Sequence, residues 1–223
     1  MINVSVKIER FQRIVGEVFP RTSGIAKGEK EYEECIGHRE FWDDLNKIKL
    51  EDTERVVLPF LGKWKCRLPY DCASELTYTL QKTETLIQPL RRLQVEDLDA
   101  INAIRDDETS LKPFYLIKEG FENISRTRSG RRTVGYTATS KILHMAVPSL
   151  LVMSDEKIRK HYGFEGTPVG YVNFMLAMNL FARDLIAQTR DKTTVLAISR
   201  FRERTLARLL DNYNYTSFTL GKT

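Results

Sequence analysis

Apolar side chains recur along this chain at the three- and four-residue spacing of amphipathic helices, and few stretches alternate as strands do. The first apolar face combines Phe11, Ile14, Val15, Val18 and Phe19, and Pro20 is expected to end it. The same spacing predicts a helix over residues 31–49 and another that begins at Asp71 or Ser74, bends at Pro89 and ends at 93. Further helices are predicted over residues 96–105, 111–124, 138–147, 155–162, 169–190 and 195–210. Loops are predicted at 21–30 and 125–133, a helix rather than a strand at 56–61, and an extended strand at 213–223.

These patterns predict an all-α fold. The chain has 223 residues, enough for one large domain or two small ones, and no low-complexity linker divides it. We therefore expect one predominantly helical domain over residues 1–223. Its helices could be arranged as two lobes around a cleft.

Charge is distributed unevenly along the chain, whose formal net charge is +5. The N-terminal part, 1–70, contains the acidic segment of the chain, since residues 29–54 hold ten acidic and four basic side chains. The part from 71 to 223 is basic, and arginines 126, 128, 131 and 132 are predicted to form one positive face with arginines 200, 202, 204 and 208. Such a face favours a polyanionic partner, and we predict DNA.

Membrane and metal functions are not indicated by the sequence. No apolar run reaches the roughly 18 residues of a membrane span, and the start lacks the features of a secretory signal, so we expect a cytoplasmic protein. Cys35, Cys66 and Cys72 are an odd number of cysteines, which suits a reducing compartment. With His38 they could supply four metal ligands, but the spacing from Cys66 to Cys72 is wider than zinc modules use, and no metal or cofactor is predicted.

A basic, glycine-containing turn precedes the helix predicted at 138–147. Its arginines Arg126, Arg128, Arg131 and Arg132 can donate bidentate hydrogen bonds to phosphate, although a solvated surface loop would have the same composition. The next glycine, Gly135, with Thr137 two residues on, could point backbone N–H groups and a helix dipole at an anion, or could simply start the helix.

Chemistry is suggested by a lysine and a carboxylate that follow this turn. Lys141 lies near the start of the helix, and a lysine beside other cations and shielded from water can act as a nucleophile. Ser140 and His144 flank it and are candidate nucleic-acid contacts, although a buried histidine is the competing interpretation. Asp155, or Ser154, is expected to cap the next helix, and Asp155 could also assist the lysine.

From about residue 134 to 159 the chain resembles the helix-hairpin-helix DNA glycosylase superfamily, and in particular its divergent branch with an 8-oxoguanine DNA glycosylase fold. The resemblance rests on Gly135 with Thr137-Ala138, on Ser140 to His144, on Pro148 and on Asp155. It implies that Lys141 attacks the sugar C1′ to release a damaged base and that Asp155 assists.

The chain departs from the pattern of that superfamily in three respects. Thr137 replaces the second hairpin glycine, and the gap from Lys141 to Asp155 is shorter than usual. If Gly135 is aligned with the first hairpin glycine, the lysine position falls near Thr139, which would make the protein a monofunctional or inactive relative.

Three functions therefore stay open: a base-excision glycosylase, a non-catalytic nucleic-acid-binding module and a helical protein-interaction domain. A glycosylase needs a slot for a flipped base, and Tyr136, Met145, Tyr171 and Phe174 are the predicted walls of that slot. The sequence does not indicate an oligomeric state.

Overall fold

Helices dominate the secondary structure, which confirms the all-α fold. The computed structural model describes residues 6–22, 25–66, 68, 70–98, 108–129, 132–198 and 205–222. Its α-helices are α1 (Ile8–Arg13), α2 (Phe19–Arg21), α3 (Ile25–Ile36), α4 (Arg39–Trp42), α5 (Leu50–Asp52), α6 (Leu58–Lys63), α7 (Ala73–Ile87), α8 (Glu108–Arg126), α9 (Gly135–Ala146), α10 (Glu156–His161), α11 (Pro168–Thr189), α12 (Lys192–Leu196) and α13 (Leu206–Asn214).

Shorter helical segments join several of these helices. Single π-helical turns cover Ile14–Val18, Thr53–Val57 and Tyr215–Thr219, and 3₁₀ turns cover Leu45–Lys47, Tyr70–Cys72, Gln88–Arg92 and Val95–Asp97. The described strands are β1 (Arg128–Ser129) and β2 (Arg132–Thr133), which pair antiparallel in a small hairpin between α8 and α9.

Helix α11 provides much of the hydrophobic core. Its side chains at Tyr171, Phe174, Met178, Phe181 and Leu185 are fully buried, as the helical spacing of these apolar residues requires. Helices α8 and α13 pack against it, and α9 packs against α8. This packing fixes the positions of α9 and α13, the two helices that carry the candidate site.

The N-terminal third differs from the sequence prediction. The first helical stretch passes Pro20 and ends at Arg21, and the loop predicted at 21–30 is wrong because α3 begins at Ile25. Burial of Tyr32 and other side chains of α3 outweighs the cost of a glycine in its first turn. The continuous helix predicted at 31–49 is also wrong: α3 ends at Ile36, and Asp44 starts a separate turn by accepting a hydrogen bond from Asn46 N (3.2 Å).

The middle of the chain follows the prediction more closely. Residues 56–61 are helical as expected, and α8, α9, α10 and α11 appear close to their predicted places. Neither Asp71 nor Ser74 caps α7, which begins at Ala73 after a 3₁₀ turn. Of the helix predicted at 96–105, the turn Val95–Asp97 is seen and residues 99–105 lie outside the described part.

The C-terminal prediction is wrong in two respects. The helix predicted at 195–210 is divided, since α12 ends at Leu196 and α13 begins at Leu206. Thr205 starts α13 by accepting a hydrogen bond from Arg208 N (3.2 Å). The extended strand predicted at 213–223 is instead helical as far as Thr219. A helical C-terminus places residues three and four positions apart on one face, and this face forms the candidate site.

Candidate functional site

A cavity of about 710 Å³ lies between α3, the end of α6, α9 and the C-terminal segment that begins with α13. The wall residues whose side chains are largely withdrawn from solvent include Phe19, Glu29, Trp64, Lys141, Arg208, Asp211 and Asn212. The exposed charged residues at its mouth include Lys27, Lys63, Lys65, Glu156 and Lys157. The cavity therefore has a buried polar interior and a charged mouth.

Lys141 lies in the second turn of α9 and is only 7% exposed. Its Nζ donates hydrogen bonds to the carbonyl oxygen of Trp64 (2.8 Å) and to Cys66 Sγ (3.4 Å), and it lies 5.2 Å from the centroid of the Trp64 ring. Among the described residues, no carboxylate lies within ion-pair distance of this amine. The amine is thus held in place by two uncharged partners and by the Trp64 ring.

Asp155 lies in the wall of the same cavity and caps α10, whereas Ser154 does not. Its Oδ1 accepts hydrogen bonds from the backbone N–H groups of Lys157 (2.8 Å) and Ile158 (2.9 Å). Its Oδ2 accepts a third hydrogen bond from Thr219 Oγ1 (2.5 Å). A carboxylate offers about four acceptor positions, so this fixed group retains capacity for a ligand.

A pair of hydrogen bonds joins the segment of Lys141 to that of Asp155. Ser140, which precedes Lys141, donates from Oγ to the carbonyl oxygen of Ser154 (2.8 Å) and accepts from the Ser154 N–H (3.1 Å). Ser140 is fully buried, so its place is structural support rather than the predicted contact with nucleic acid. Because Ser154 precedes Asp155, this link fixes the two candidate catalytic residues relative to each other.

A buried ion-pair cluster forms the floor of the cavity. Arg208 is 1% exposed; its Nη2 contacts Glu29 Oε1 (2.5 Å) and its Nη1 contacts the Asp211 carboxylate. The guanidinium also lies 4.0 Å from the centroid of the Tyr32 ring. The prediction that Arg208 belongs to an exposed positive face is therefore wrong, because the cavity carboxylates hold it inside; arginines 200, 202 and 204 lie outside the described residues.

Burial raises the pKa of Asp211 to about 7, against an ordinary value of 3.8. The positive charges of Arg208 and Lys141 oppose this rise, and the negative charges of Glu29 and Asp155 add to it. Burial alone would lower the pKa of Arg208, but Glu29 and Asp211 outweigh that effect and raise it. The cluster thus keeps its arginine charged while one of its carboxyl groups titrates near neutral pH.

Several polar atoms in the cavity wall have no hydrogen-bond partner within the described part of the chain. They are Trp64 Nε1, Arg208 Nε, and both amide atoms of Asn212, Nδ2 and Oδ1. Buried polar side-chain atoms are paired in most proteins, and each unpaired group costs about 1–3 kcal/mol. These atoms are themselves buried, so they lie behind the surface that faces the cavity.

The arginines of the predicted phosphate-binding turn lie elsewhere. Arg126 is exposed and pairs with Glu122 (2.5 Å). The exposed Arg128 uses its backbone N–H to bind Glu75 Oε1 (3.0 Å). Neither arginine lines the cavity. Arg131 and the side chain of Arg132 are outside the description.

The helix start behaves as a glycine turn. Gly135 has φ +73°, a left-handed conformation that suits glycine, and Thr137 lines the cavity. His144 is fully buried and does not line the cavity. Its Nδ1 donates to the carbonyl oxygen of Leu151 (2.5 Å), and its Nε2 accepts from the hydroxyl of Tyr32 (3.0 Å). Both ring nitrogens of His144 are thus engaged within the protein, which leaves none for nucleic acid.

The predicted walls of a base slot are not walls of this cavity. Met145, Tyr171 and Phe174 have no exposed surface and belong to the hydrophobic core. Tyr136 donates its hydroxyl to Ser154 Oγ (3.2 Å), and burial raises its pKa to about 12. Closeness in sequence favours Tyr136 and Met145, and the long helix offers Tyr171 or Phe174 as a far wall, but the ring of Tyr136 packs against Phe121 of α8 and Tyr171 of α11.

The aromatic groups that do line the cavity are Phe19, Trp64 and Tyr215. The rings of Trp64 and Tyr215 have centroids 6.3 Å apart. Sequence reasoning did not select them, although a tryptophan between two lysines, Lys63 and Lys65, is an unusual local pattern that could have drawn attention.

No group of three or more His, Cys, Asp or Glu side chains among the described residues is arranged to hold a metal ion. Cys66 contacts Lys141, and His38 contacts Glu40 (3.1 Å). Within the described ranges, no helix is both long enough and apolar enough to cross a membrane.

Comparison of the chain with protein-family models, with curated proteins and with solved structures found no match.

Proposed function

We propose that this protein is a DNA glycosylase that releases a damaged base through a covalent intermediate on Lys141. The observation that supports the proposal is that Lys141 and Asp155 line one cavity, as the resemblance to helix-hairpin-helix glycosylases requires. A glycosylase takes its target base out of the duplex and holds it in a pocket. The cavity volume of about 710 Å³ is in the range of pockets that bind small organic molecules.

In the proposed reaction the neutral amine of Lys141 attacks C1′ of the deoxyribose. The glycosidic C1′–N bond breaks, and its electron pair leaves with the base, which takes up a proton. Asp155 accepts a proton from the attacking amine and stabilises the positive charge that develops on the sugar. The nitrogen lone pair then forms the C=N bond as the C1′–O4′ bond breaks, O4′ takes the electron pair of that bond and the proton held by Asp155, and the product is a protonated Schiff base between Lys141 and C1′.

The charged mouth supports DNA as the partner. Lys27, Lys63, Lys65 and Lys157 are exposed around the opening of the cavity. Lysines in this position would neutralise backbone phosphates on either side of a flipped nucleotide, so affinity for DNA should fall steeply with salt.

Borohydride reduction of the Schiff base tests the proposal directly. Wild-type protein should become covalently attached to DNA that contains its lesion when borohydride is present. Lys141→Gln should abolish this attachment and leave DNA binding within a few-fold of wild type. Lys160→Gln is the matched control, since Lys160 is an exposed lysine of α10 that pairs with Glu156 and does not line the cavity.

The outcomes separate the three functions that the sequence left open. Salt-dependent DNA binding without covalent attachment or base release, on any common lesion, would refute the enzyme and favour a non-catalytic nucleic-acid-binding module. Absence of salt-dependent binding would refute both and favour a protein-interaction domain.

A further inference from the structure

A thiol and an amine are in contact beside the cavity. Lys141 Nζ lies 3.4 Å from Cys66 Sγ, although the two residues are 75 positions apart in the sequence. The carbonyl oxygen of Trp64 binds both groups, since it accepts hydrogen bonds from Lys141 Nζ (2.8 Å) and from the Cys66 thiol (3.7 Å). The fold therefore holds two nucleophilic side chains together, and the proposed reaction uses only one of them.

Cys66 differs from the other two cysteines in its surroundings. Cys35 and Cys72 are 3% and 1% exposed, and burial raises the pKa of both thiols, that of Cys35 to about 12. Since the thiolate is the reactive form of cysteine, we expect these two to react slowly with oxidants. Cys66 is 9% exposed, and the lysine that contacts it lines the cavity. Of the three thiols, Cys66 is therefore the best placed to react with a small oxidant.

We propose that Cys66 and Lys141 form an oxidative modification site, at which a peroxide converts the pair to a sulfenamide with a covalent bond between Sγ and Nζ. Formation of this bond does not require the proposed function. Its effect on activity rests on that function, since the bond engages the amine that would attack C1′ and should therefore inactivate the glycosylase.

The bond forms in two steps, with hydrogen peroxide as the oxidant. The sulfur of Cys66 attacks one peroxide oxygen, the O–O bond breaks, and its electron pair leaves with hydroxide, which takes the thiol proton and becomes water. The product is a sulfenic acid, in which sulfur has given two electrons to the peroxide. The amine of Lys141, once its ammonium form has released a proton to water, then attacks this sulfur. The S–N bond forms, the S–O bond breaks, and the departing hydroxide takes a proton from the nitrogen and becomes water.

The geometry favours this condensation. A sulfenic acid reacts with a nearby thiol or nitrogen. Here an amine nitrogen already lies in contact with the sulfur, and the flexible stem of lysine allows it to close to bond distance. A thiol reductant reverses the modification: two of its thiols are oxidised to a disulfide, and the free side chains of Cys66 and Lys141 are restored.

Peptide mass spectrometry tests the site without requiring activity. Trypsin does not cleave after a modified lysine, so peroxide-treated protein should give a product that joins residues 133–157 to the dipeptide Cys66-Arg67. Its mass should equal the sum of the two peptides less two hydrogen atoms, and dithiothreitol should separate them. Cys66→Ser and Lys141→Arg should each give no cross-link, and in Lys141→Arg the thiol of Cys66 should gain oxygen instead.

Two controls show whether the fold directs the reaction. Cys72→Ala should form the cross-link as wild type does, because Cys72 is not the thiol that Lys141 contacts. Peroxide added after unfolding in urea should oxidise Cys66 without the cross-link, since the fold alone brings the two residues together. In folded wild type, an unreactive Cys66, oxidation of Cys66 without a cross-link, or a cross-link that contains an added oxygen atom would overturn the proposal.

The results for the modification site and for the enzyme are distinguishable. After removal of the peroxide, borohydride attachment of wild type to DNA should be reduced in proportion to the cross-linked fraction, and dithiothreitol should restore it. Cys66→Ser, compared with its own untreated sample, should keep its attachment. A reversible cross-link in a protein that never attaches to DNA would support the modification site and refute the glycosylase. Attachment to DNA by a protein that forms no cross-link would overturn the modification site and retain the glycosylase.

Discussion

Replacing Asp211 with asparagine should remove a large pH-dependent contribution to the stability of this protein between acidic and neutral pH. The pKa of Asp211 is raised to about 7 in the folded protein, from 3.8 for an ordinary aspartate. The folded state therefore holds the proton more tightly than the unfolded chain does. The stabilising contribution of Asp211 to the unfolding free energy is fully present below pH 3.8, decreases as the pH rises toward 7, and is lost above that.

The size of this effect follows from the difference between the two pKa values, which corresponds to about 4 kcal/mol. Exposed carboxyl groups whose pKa is lowered, such as Glu40 and Asp44, act in the opposite direction in both proteins and cancel in the comparison. The difference in unfolding free energy, wild type minus Asp211→Asn, should therefore fall by most of this amount between about pH 4 and pH 7.5.

Urea denaturation followed by far-UV circular dichroism across this pH range measures the difference. Asp43→Asn is the matched control, because Asp43 is an exposed aspartate paired with Arg39, and its curve should run parallel to wild type. Parallel curves for wild type and Asp211→Asn would refute the reasoning, since they would show that burial beside Glu29 does not perturb this carboxyl group.

Three further predictions concern the frame of the site. Ser140→Ala removes both hydrogen bonds to the Ser154 backbone and should lower the unfolding free energy by about 1–3 kcal/mol in urea denaturation. Gly135→Ala should lower the unfolding free energy by about 1–2 kcal/mol, because alanine is strained in the left-handed backbone conformation of this position. No heavy atom lies within 4 Å of the added Cβ, so backbone strain is the only source of the loss. Gly62→Ala is the control: its Cβ also meets no atom within 4 Å, but Gly62 is helical, so this change should be neutral or stabilising. Asp155→Ala removes the cap of α10 and should lower the unfolding free energy by about 1 kcal/mol. Asp155→Asn keeps a capping oxygen, so its unfolding free energy should stay within about 0.5 kcal/mol of wild type. If the carboxylate is catalytic, both variants should lose covalent attachment to DNA in borohydride.

The fold was predictable where apolar periodicity was long and uninterrupted. Helix α11 repeats its large apolar residues over 22 residues, and both its extent and its buried face follow from the sequence. Prediction failed where apolar residues are few among glycines and charged residues, as in α3 around Gly28. This helix is stabilised because Tyr32 and Cys35 pack against core residues that are distant in the sequence.

The candidate site was predictable only in part, for the same reason. Lys141 and Asp155 are 14 positions apart, and a turn between two helices can bring such near neighbours to one place. Glu29, Trp64 and Asn212 come from three distant segments, so no local pattern connects them with Lys141. Met145, Tyr171 and Phe174, which are predicted as walls of a base slot, are core residues because the helix packing buries them.

The arginines show how charge in a sequence can mislead. A cluster of arginines indicates a solvated face, since charged side chains are rarely buried. Arg208 is an exception because Glu29, which comes from the acidic segment 29–54, supplies a partner inside the protein. Burial of such a group is costly unless its partners are well placed, and an apolar residue would often be at least as stable there. Arginines in a sequence therefore predict a solvated surface only where the fold brings no carboxylate inside with them, and Glu29 and Asp211 are the carboxylates that hold Arg208 inside.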